Sequence, residues 1–277
     1  MNTVDGTRDG QAALWNGAGG HAWVEAQGVL DGLLEPLERL LLEVVEEGPV
    51  GPVLDVGCGT GGTTVAIARA RGACTGIDIS EPMVAAARIR AERAGVPASF
   101  VHADAQRHRF APAGFATFAS RFGVMFFDDP VAAFANLRGA AIPGAALRFI
   151  VWRSAEENPF MTTAERAATP LITLPAREPD KPGQFAFADE QRVRDNLARS
   201  GWDDVDLRPV DITCAMPEAD LPRYLTRLGP LGRALADADE ATRAGVVAAV
   251  RPAFDRYVSG GEVRITAACW LVAAQAP

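Results

Sequence analysis

A chain of 277 residues that is 48% hydrophobic and carries a net charge of −8 has room for one sizeable core with a cap or insertion, not for two large domains. The acidic balance, with Lys181 the only lysine and no basic run, argues against a nucleic-acid partner. Cys58, Cys74, Cys214 and Cys269 are scattered, with no CxxC spacing and no neighbouring histidine, so neither a disulfide framework nor a metal site is expected.

The opening "MNTVDGTRDGQ" lacks the basic and apolar regions of a signal peptide, and no segment approaches the roughly 20 apolar residues of a membrane span. The expectation is a cytoplasmic protein with no membrane partner. Its preference for Arg over Lys reads as the imprint of a GC-rich bacterial genome.

Residues 1–48 read as a helical N-terminal cover. Within it, "LWNGAGGHAWVE" (Leu14–Glu25) sets two tryptophans and an asparagine among glycines, which is unusual for a disordered tail. "LLEPLERLLLEVVEE" then places leucines and valines at three-and-four spacing, predicting a helix over 33–47 that ends at Gly48 and Pro49.

A strand and helix alternation follows across 49–153: strands at 53–56, 74–79, 99–102, 115–121 and 146–152, with helices at 63–71, 82–94 and 131–139. Short apolar strands separated by helices imply a mostly parallel sheet covered on both faces. Residues 154–188 read as a lid insertion with one short helix at 159–168. The core resumes over 189–213 with a helix and a strand at 205–212. A helical insertion occupies 214–258, and a final core strand occupies 259–277. The fold expected is α/β, Rossmann-like, with seven strands of which the last is antiparallel.

"VLDVGCGTGGTT" (Val53–Thr64) carries the chemistry. A strand running into a glycine-rich turn and a helix N-terminus lets backbone approach a ligand closely. Gly57, Gly59 and Gly62 satisfy the dinucleotide pattern GxGxxG, with Asp78 about 20 residues on, so an NAD(P)-dependent oxidoreductase is one reading. Asp55, Asp78 and Asp104 favour another. They stand at the ends of three successive strands, where ligands of open α/β sheets bind, and three carboxylates suit a ligand with an amine, a ribose and an adenine better than one with phosphates.

"VLDVGCGTGGTT", "GIDISEPMVAAAR", "HADAQ" and "LRGAAIPGAALRFIVW" together resemble the successive motifs of the class I S-adenosylmethionine-dependent methyltransferases, in the ubiquinone/menaquinone-biosynthesis-like branch. The likeness covers about residues 50–152. One departure is the turn Pro143-Gly144-Ala145, where the family usually has a second glycine.

The resemblance implies S-adenosyl-L-methionine as cofactor, S-adenosyl-L-homocysteine as product, and methyl transfer as the reaction. It also implies that backbone at Gly57, Cys58 and Gly59 meets the methionine moiety while Asp55 orients its amino group. Asp78 would accept the ribose hydroxyls, and Ile79 and Met83 would flank the adenine. Asp104 would take the adenine amino group and the Ala105 N–H a ring nitrogen. Ser120, Arg121 and Phe122 would line the methionine end.

Trp15 and Trp23 would either shield the sulfonium or anchor their helix to the core. The acceptor pocket is expected at Met125 and Phe126, with Trp152, Asn158, Phe160, Phe187 and Tyr224 contributed from around the insertions. That composition suits a small, partly hydrophobic metabolite methylated on O, N or C, with any anionic group near Arg121 or Arg153. A base is needed only if the acceptor must lose a proton; His21 is the candidate, while His102 reads as structural and His108 as solvated. Whether the chain forms a homodimer, and whether it uses the cofactor for something other than methyl transfer, stay open.

Overall fold

A computed structural model describes residues 10–174, 178, 181–236 and 238–277. Three helices open the chain, α1 (Gly10–Asn16), α2 (Ala18–Glu25) and α3 (Gln27–Glu46). Then come β1 (Val53–Val56), α4 (Gly62–Arg71), β2 (Cys74–Asp78), α5 (Glu81–Ala94), β3 (Ala98–His102), β4 (Phe115–Arg121), a 3-10 turn at Val124–Phe126, α6 (Pro130–Gly139) and β5 (Ala141–Trp152). The remainder is α7 (Pro159–Ala168), α8 (Glu190–Arg199), β6 (Asp203–Pro217), α9 (Leu221–Arg227), α10 (Gly229–Ala234), α11 (Glu240–Val250), a 3-10 stretch Arg251–Tyr257, the two-residue β7 (Val258–Ser259) and β8 (Glu262–Gln275).

Local chemistry sets these boundaries. Side chains of Ser80, Asp129, Asp189 and Asp239 cap α5, α6, α8 and α11 by accepting a backbone N–H two or three residues into each helix. Proline in the first turn reinforces α5 and α6. In α3 the buried set Val29, Leu30, Leu33, Leu34, Leu37, Leu41 and Val45 forms one continuous stripe. That stripe begins earlier than the helix expected over 33–47, because Gly28, Gly32 and Pro36 mask the periodicity without breaking it.

The sheet order is β3-β2-β1-β4-β5-β8-β6, with β7 forming a short hairpin against β8. The pairs among β1 to β5 are parallel, whereas β8 runs antiparallel to both β5 and β6. This is the Rossmann-like arrangement with a reversed last strand. Two strands outrun expectation. β6 covers 203–217 because it pairs with β8 nearly from end to end. β5 starts at Ala141, taking Pro143 and Gly144 (φ +75°) into an irregular stretch where its register against β4 shifts.

From β1 the chain winds outward through β2 and β3, then crosses to β4 on the other side of β1. That reversal opens a crevice beyond the carboxyl ends of β1 and β4, with the end of β2 alongside. Beneath it the core holds Phe118, Phe134, Phe149, Phe187 and Trp202. A smaller cluster of Cys58, Val65, Val84, Ala87, Ala91 and Phe100 seals α4 and α5 against the sheet. Among the described residues, no helix is long and apolar enough to cross a membrane.

Candidate functional site

The turn after β1 is built around three glycines in the left-handed region, Gly57 (φ +68°), Gly59 (φ +54°) and Gly61 (φ +80°). They serve different ends. A Cβ on Gly57 would stand 2.6 Å from Gly123 Cα, so Gly57 lets the β1 turn press against the turn after β4. A Cβ on Gly59 would meet only Met83 Sδ, at 3.9 Å, so here the backbone borders open space. The Gly57 and Cys58 N–H groups both donate to Ile77 O, which fixes the turn to β2.

Asp78 closes β2 and is buried. Its Oδ2 accepts the Gly59 N–H at 2.8 Å and its Oδ1 accepts the Ser80 N–H at 2.8 Å. Burial pushes its carboxyl above the usual range, and the Ser80 and Gly59 N–H groups pull it back. A carboxylate has about four acceptor positions, so two remain for hydroxyl donors. An acceptor of this kind beside an open glycine fits the ribose and methionine parts of S-adenosylmethionine.

Asp55 lies beneath the turn rather than in its mouth. It is 1% exposed, and its Oδ2 accepts the Thr64 hydroxyl at 2.6 Å. Desolvation raises its carboxyl to about 7 against the opposing pull of Thr64 and Arg121. The structure thus gives Asp55 the work of tying β1 to α4, in place of the direct contact with an amino group expected from sequence. Asp104 caps its own turn, accepting the Gln106 N–H at 2.9 Å, and stands 3.6 Å from the Arg107 guanidinium. Ala105 beside it is buried, its carbonyl held by Asn136.

The N-terminal cover docks on the turn between β2 and α5. Asn16 donates to Ile79 O and accepts the Glu81 N–H, while Ser80 Oγ donates to Trp15 O at 2.5 Å. Gly20 is buried with no room for a side chain, since a Cβ there would lie 2.6 Å from Ser80 Oγ. Trp15 meets Trp23 edge-on at 6.0 Å and Phe126 at 5.0 Å, so both tryptophans share one aromatic group with an expected acceptor residue. Asn16 and Ser80 were not singled out in the sequence as site residues, although Ser80 before Glu81-Pro82 carries the signature of a helix cap.

Several expected site residues turn out to be framework. Ser120 is fully buried, donating to Val56 O and accepting the Gly123 and Val124 N–H groups. Asn158 pairs with both backbone groups of Ala268, pinning the start of α7 to β8 rather than facing a substrate. Trp152 is buried and stacks on Phe122 at 4.3 Å.

Phe160 of α7 packs against Tyr224, Phe254 and Tyr257. Phe187 belongs to the core with Phe134 and Phe149. His21 is exposed, with Nδ1 2.9 Å from Gly17 O of its own helix. Met125 is buried beneath the lid, where its carbonyl accepts the Gly183 N–H.

A polar network missed in the sequence joins the cover to the turn. Arg121 donates to Thr63 Oγ1 and Leu34 O and stands 3.5 Å from Glu38, and Asp31 pairs with Arg90. These residues come from α3, α4, α5 and β4, and no local pattern links them. Arg153 is engaged by Glu157 and Asp211. Among the described residues no cluster of metal-binding side chains occurs.

Residues 53–144 match the family model described as a methyltransferase domain. An uncharacterized protein of Mycobacterium tuberculosis is 30% identical over 120 residues, which is 43% of this chain and 44% of that one. An uncharacterized methyltransferase of the same species is 32% identical over 100 residues, covering 36% of this chain and 50% of the relative. The chain therefore aligns with half or less of the length of these relatives.

Among solved structures, the [4+2]-cyclase SpnF aligns with a TM-score of 0.58 at 20% identity, over 93% of this chain and 94% of its own. Phosphoethanolamine N-methyltransferase 2 of Haemonchus contortus, in complex with S-adenosyl-L-methionine, aligns with a TM-score of 0.58 at 17% identity, over 100% of this chain and 61% of its own.

Proposed function

We propose that this chain, which has the class I methyltransferase fold and a methyltransferase domain taking S-adenosylmethionine, moves the cofactor's methyl group to O, N or C of a small, partly hydrophobic metabolite. The observation that carries this is the buried Asp78 carboxylate held by the Gly59 N–H at the edge of the open turn. It offers acceptor capacity to a diol and electrostatic welcome to a cation, whereas a dinucleotide diphosphate over the same turn would face the buried Asp78 carboxylate. An NAD(P)-dependent oxidoreductase is disfavoured on that ground.

When bound, S-adenosylmethionine supplies an electrophilic methyl on a sulfonium, and positioning of the two reactants accounts for much of the rate. Asp78 holds the ribose hydroxyls, the backbone of Gly57 to Gly59 lines the methionine, and Ile79 and Met83 border the adenine. Trp15, Trp23 and Phe126 form an aromatic mouth that excludes water and favours positive charge. Arg121 acts on the cofactor side by holding α3 against α4. No general base is assigned.

The fold-level likeness to a cyclase favours a second reading, in which the cofactor is bound and no methyl group moves. Incubation with methyl-labelled S-adenosylmethionine and a bacterial metabolite extract separates the two. A labelled small-molecule product supports methyl transfer and identifies the acceptor, whereas cofactor binding without any labelled product overturns it. Calorimetric titration with S-adenosylhomocysteine and NADH tests the cofactor itself, and binding of NADH alone would sink the assignment.

A further inference from the structure

Outside the cofactor crevice, a groove of about 780 Å³ lies between α9 and α11 and reaches the end of α2. Its size falls in the range of small-ligand sites. On α11 the lining residues recur at helical spacing, from Glu240 through Arg243, Ala244, Val247 and Ala248 to Arg251 just beyond the helix, and α9 answers with Pro222, Arg223, Thr226 and Arg227. Two neighbouring helices ordinarily close on each other through interlocking apolar side chains. Here the floor is made of small residues, and the rim sets Arg223 and Arg227 against Arg243 and Arg251.

Four arginines line the groove, and acids take up two of them. Arg227 is paired with Glu25, and Arg251 with Glu218 and Asp255. Arg223 instead donates to Glu25 O, and Arg243 to Leu235 O and Ala236 O. Asp239 also acts on Arg243, while carbonyl partners satisfy donors without adding negative charge, and each guanidinium has five N–H donors. An oxyanion among these guanidinium groups would gain charge-assisted bonds.

We propose that this groove binds an amphiphilic organic anion, with a phosphate or carboxylate head among Arg223 and Arg243 and a short hydrocarbon body over Ala244, Val247 and Ala248. The site is separate from the cofactor crevice and does not depend on the methyltransferase reading.

The test is calorimetric titration of octyl phosphate into the full chain, with and without saturating S-adenosylhomocysteine, and into Arg243→Gln and Ala248→Trp. Ala248 is exposed, so the tryptophan obstructs the groove without entering the core; circular dichroism checks that both variants fold. Saturable binding is expected, indifferent to S-adenosylhomocysteine, weakened about tenfold or more in Arg243→Gln by loss of charged hydrogen bonds, and lost in Ala248→Trp. Absence of saturable binding, equal affinity in both variants, or displacement by S-adenosylhomocysteine overturns the site. Inorganic phosphate binding as tightly as octyl phosphate overturns the apolar half of the proposal.

Discussion

Asp55→Asn should change how the stability of the protein depends on pH. The Asp55 carboxyl is fully buried and raised to about 7, chiefly by desolvation. In the unfolded chain it returns to about 3.9. Between these values the folded state binds a proton that the unfolded state does not, so Asp55 contributes stability that is fully present below the unfolded value and is lost as pH rises through the folded one.

With each unit worth about 1.4 kcal/mol, ionising this buried group costs the fold about 4 kcal/mol as an upper bound, and about 2 kcal/mol of that disappears between about pH 5.5 and about pH 8.5. Asparagine keeps an oxygen for the Thr64 hydroxyl and cannot ionise. Urea denaturation of both proteins across that window should therefore show the wild type losing about 2 kcal/mol relative to the variant as pH rises. Parallel stability curves, offset by a constant, would refute the claim that burial beneath the turn raises the Asp55 carboxyl to about 7.

Asp78→Ala should weaken S-adenosylhomocysteine binding by about 2 kcal/mol, the scale of hydrogen bonds to a charged group; unchanged affinity in calorimetry would remove Asp78 from the ribose site. Gly57→Ala and Gly59→Ala should part company, because a Cβ on Gly57 lies 2.6 Å from Gly123 Cα while one on Gly59 meets nothing nearer than 3.9 Å. Thermal melting should show the larger loss for Gly57→Ala and ligand titration the larger loss for Gly59→Ala relative to its stability, and the reverse order would contradict the division of labour. Asn16→Ala removes both bonds from the cover to the turn carrying Ile79. At about 1 kcal/mol each, it should raise the cofactor dissociation constant about tenfold or more with little change in melting temperature, and the opposite pattern would make Asn16 a purely structural residue. Asn158→Ala should cost about 1 to 2 kcal/mol of stability through the Ala268 N–H it strands, the Ala268 carbonyl keeping the Arg153 N–H, measured by denaturant titration.

The pattern of these residues explains what could be read from the chain alone. The parallel core was legible because each strand is a short apolar run next to a helix with its own cap, and because the three strand-end aspartates recur at fixed places in that alternation. The glycine turn was legible for the same reason: Gly57 and Gly59 are demanded locally, by positive φ and close approach.

What escaped was set by tertiary partners. Nothing near Asn158 announces that the distant Ala268 N–H takes its side-chain oxygen, so a polar residue just after β5 reads as a substrate contact. Ser120 and Trp152 mislead similarly, because residues at strand ends face either the crevice or the packing beneath it, and periodicity does not tell which. Asp55 shows this most sharply. Its place two residues before Gly57 marks it as a ligand contact, yet the side chain is buried against α4, where it accepts the Thr64 hydroxyl.

The cover shows how function reaches beyond the segment that names it. The matched domain ends at residue 144 and begins at residue 53, so Trp15, Asn16 and Gly20 lie wholly outside it. Nevertheless, Asp78 Oδ1 takes the Ser80 N–H, Ser80 Oγ donates to Trp15 O, and Asn16 grips the residues on either side. The Asp78 carboxylate proposed for the ribose and the aromatic group of Trp15, Trp23 and Phe126 are thus connected through one serine. A shift of the cover away from the turn would break the bond from Ser80 to Trp15 and release both Asn16 contacts together, while the Gly59 bond to Asp78 stays made. Under the proposed function, opening the mouth therefore need not dismantle the Asp78 anchor, and acceptor exchange and cofactor retention would be governed by different bonds.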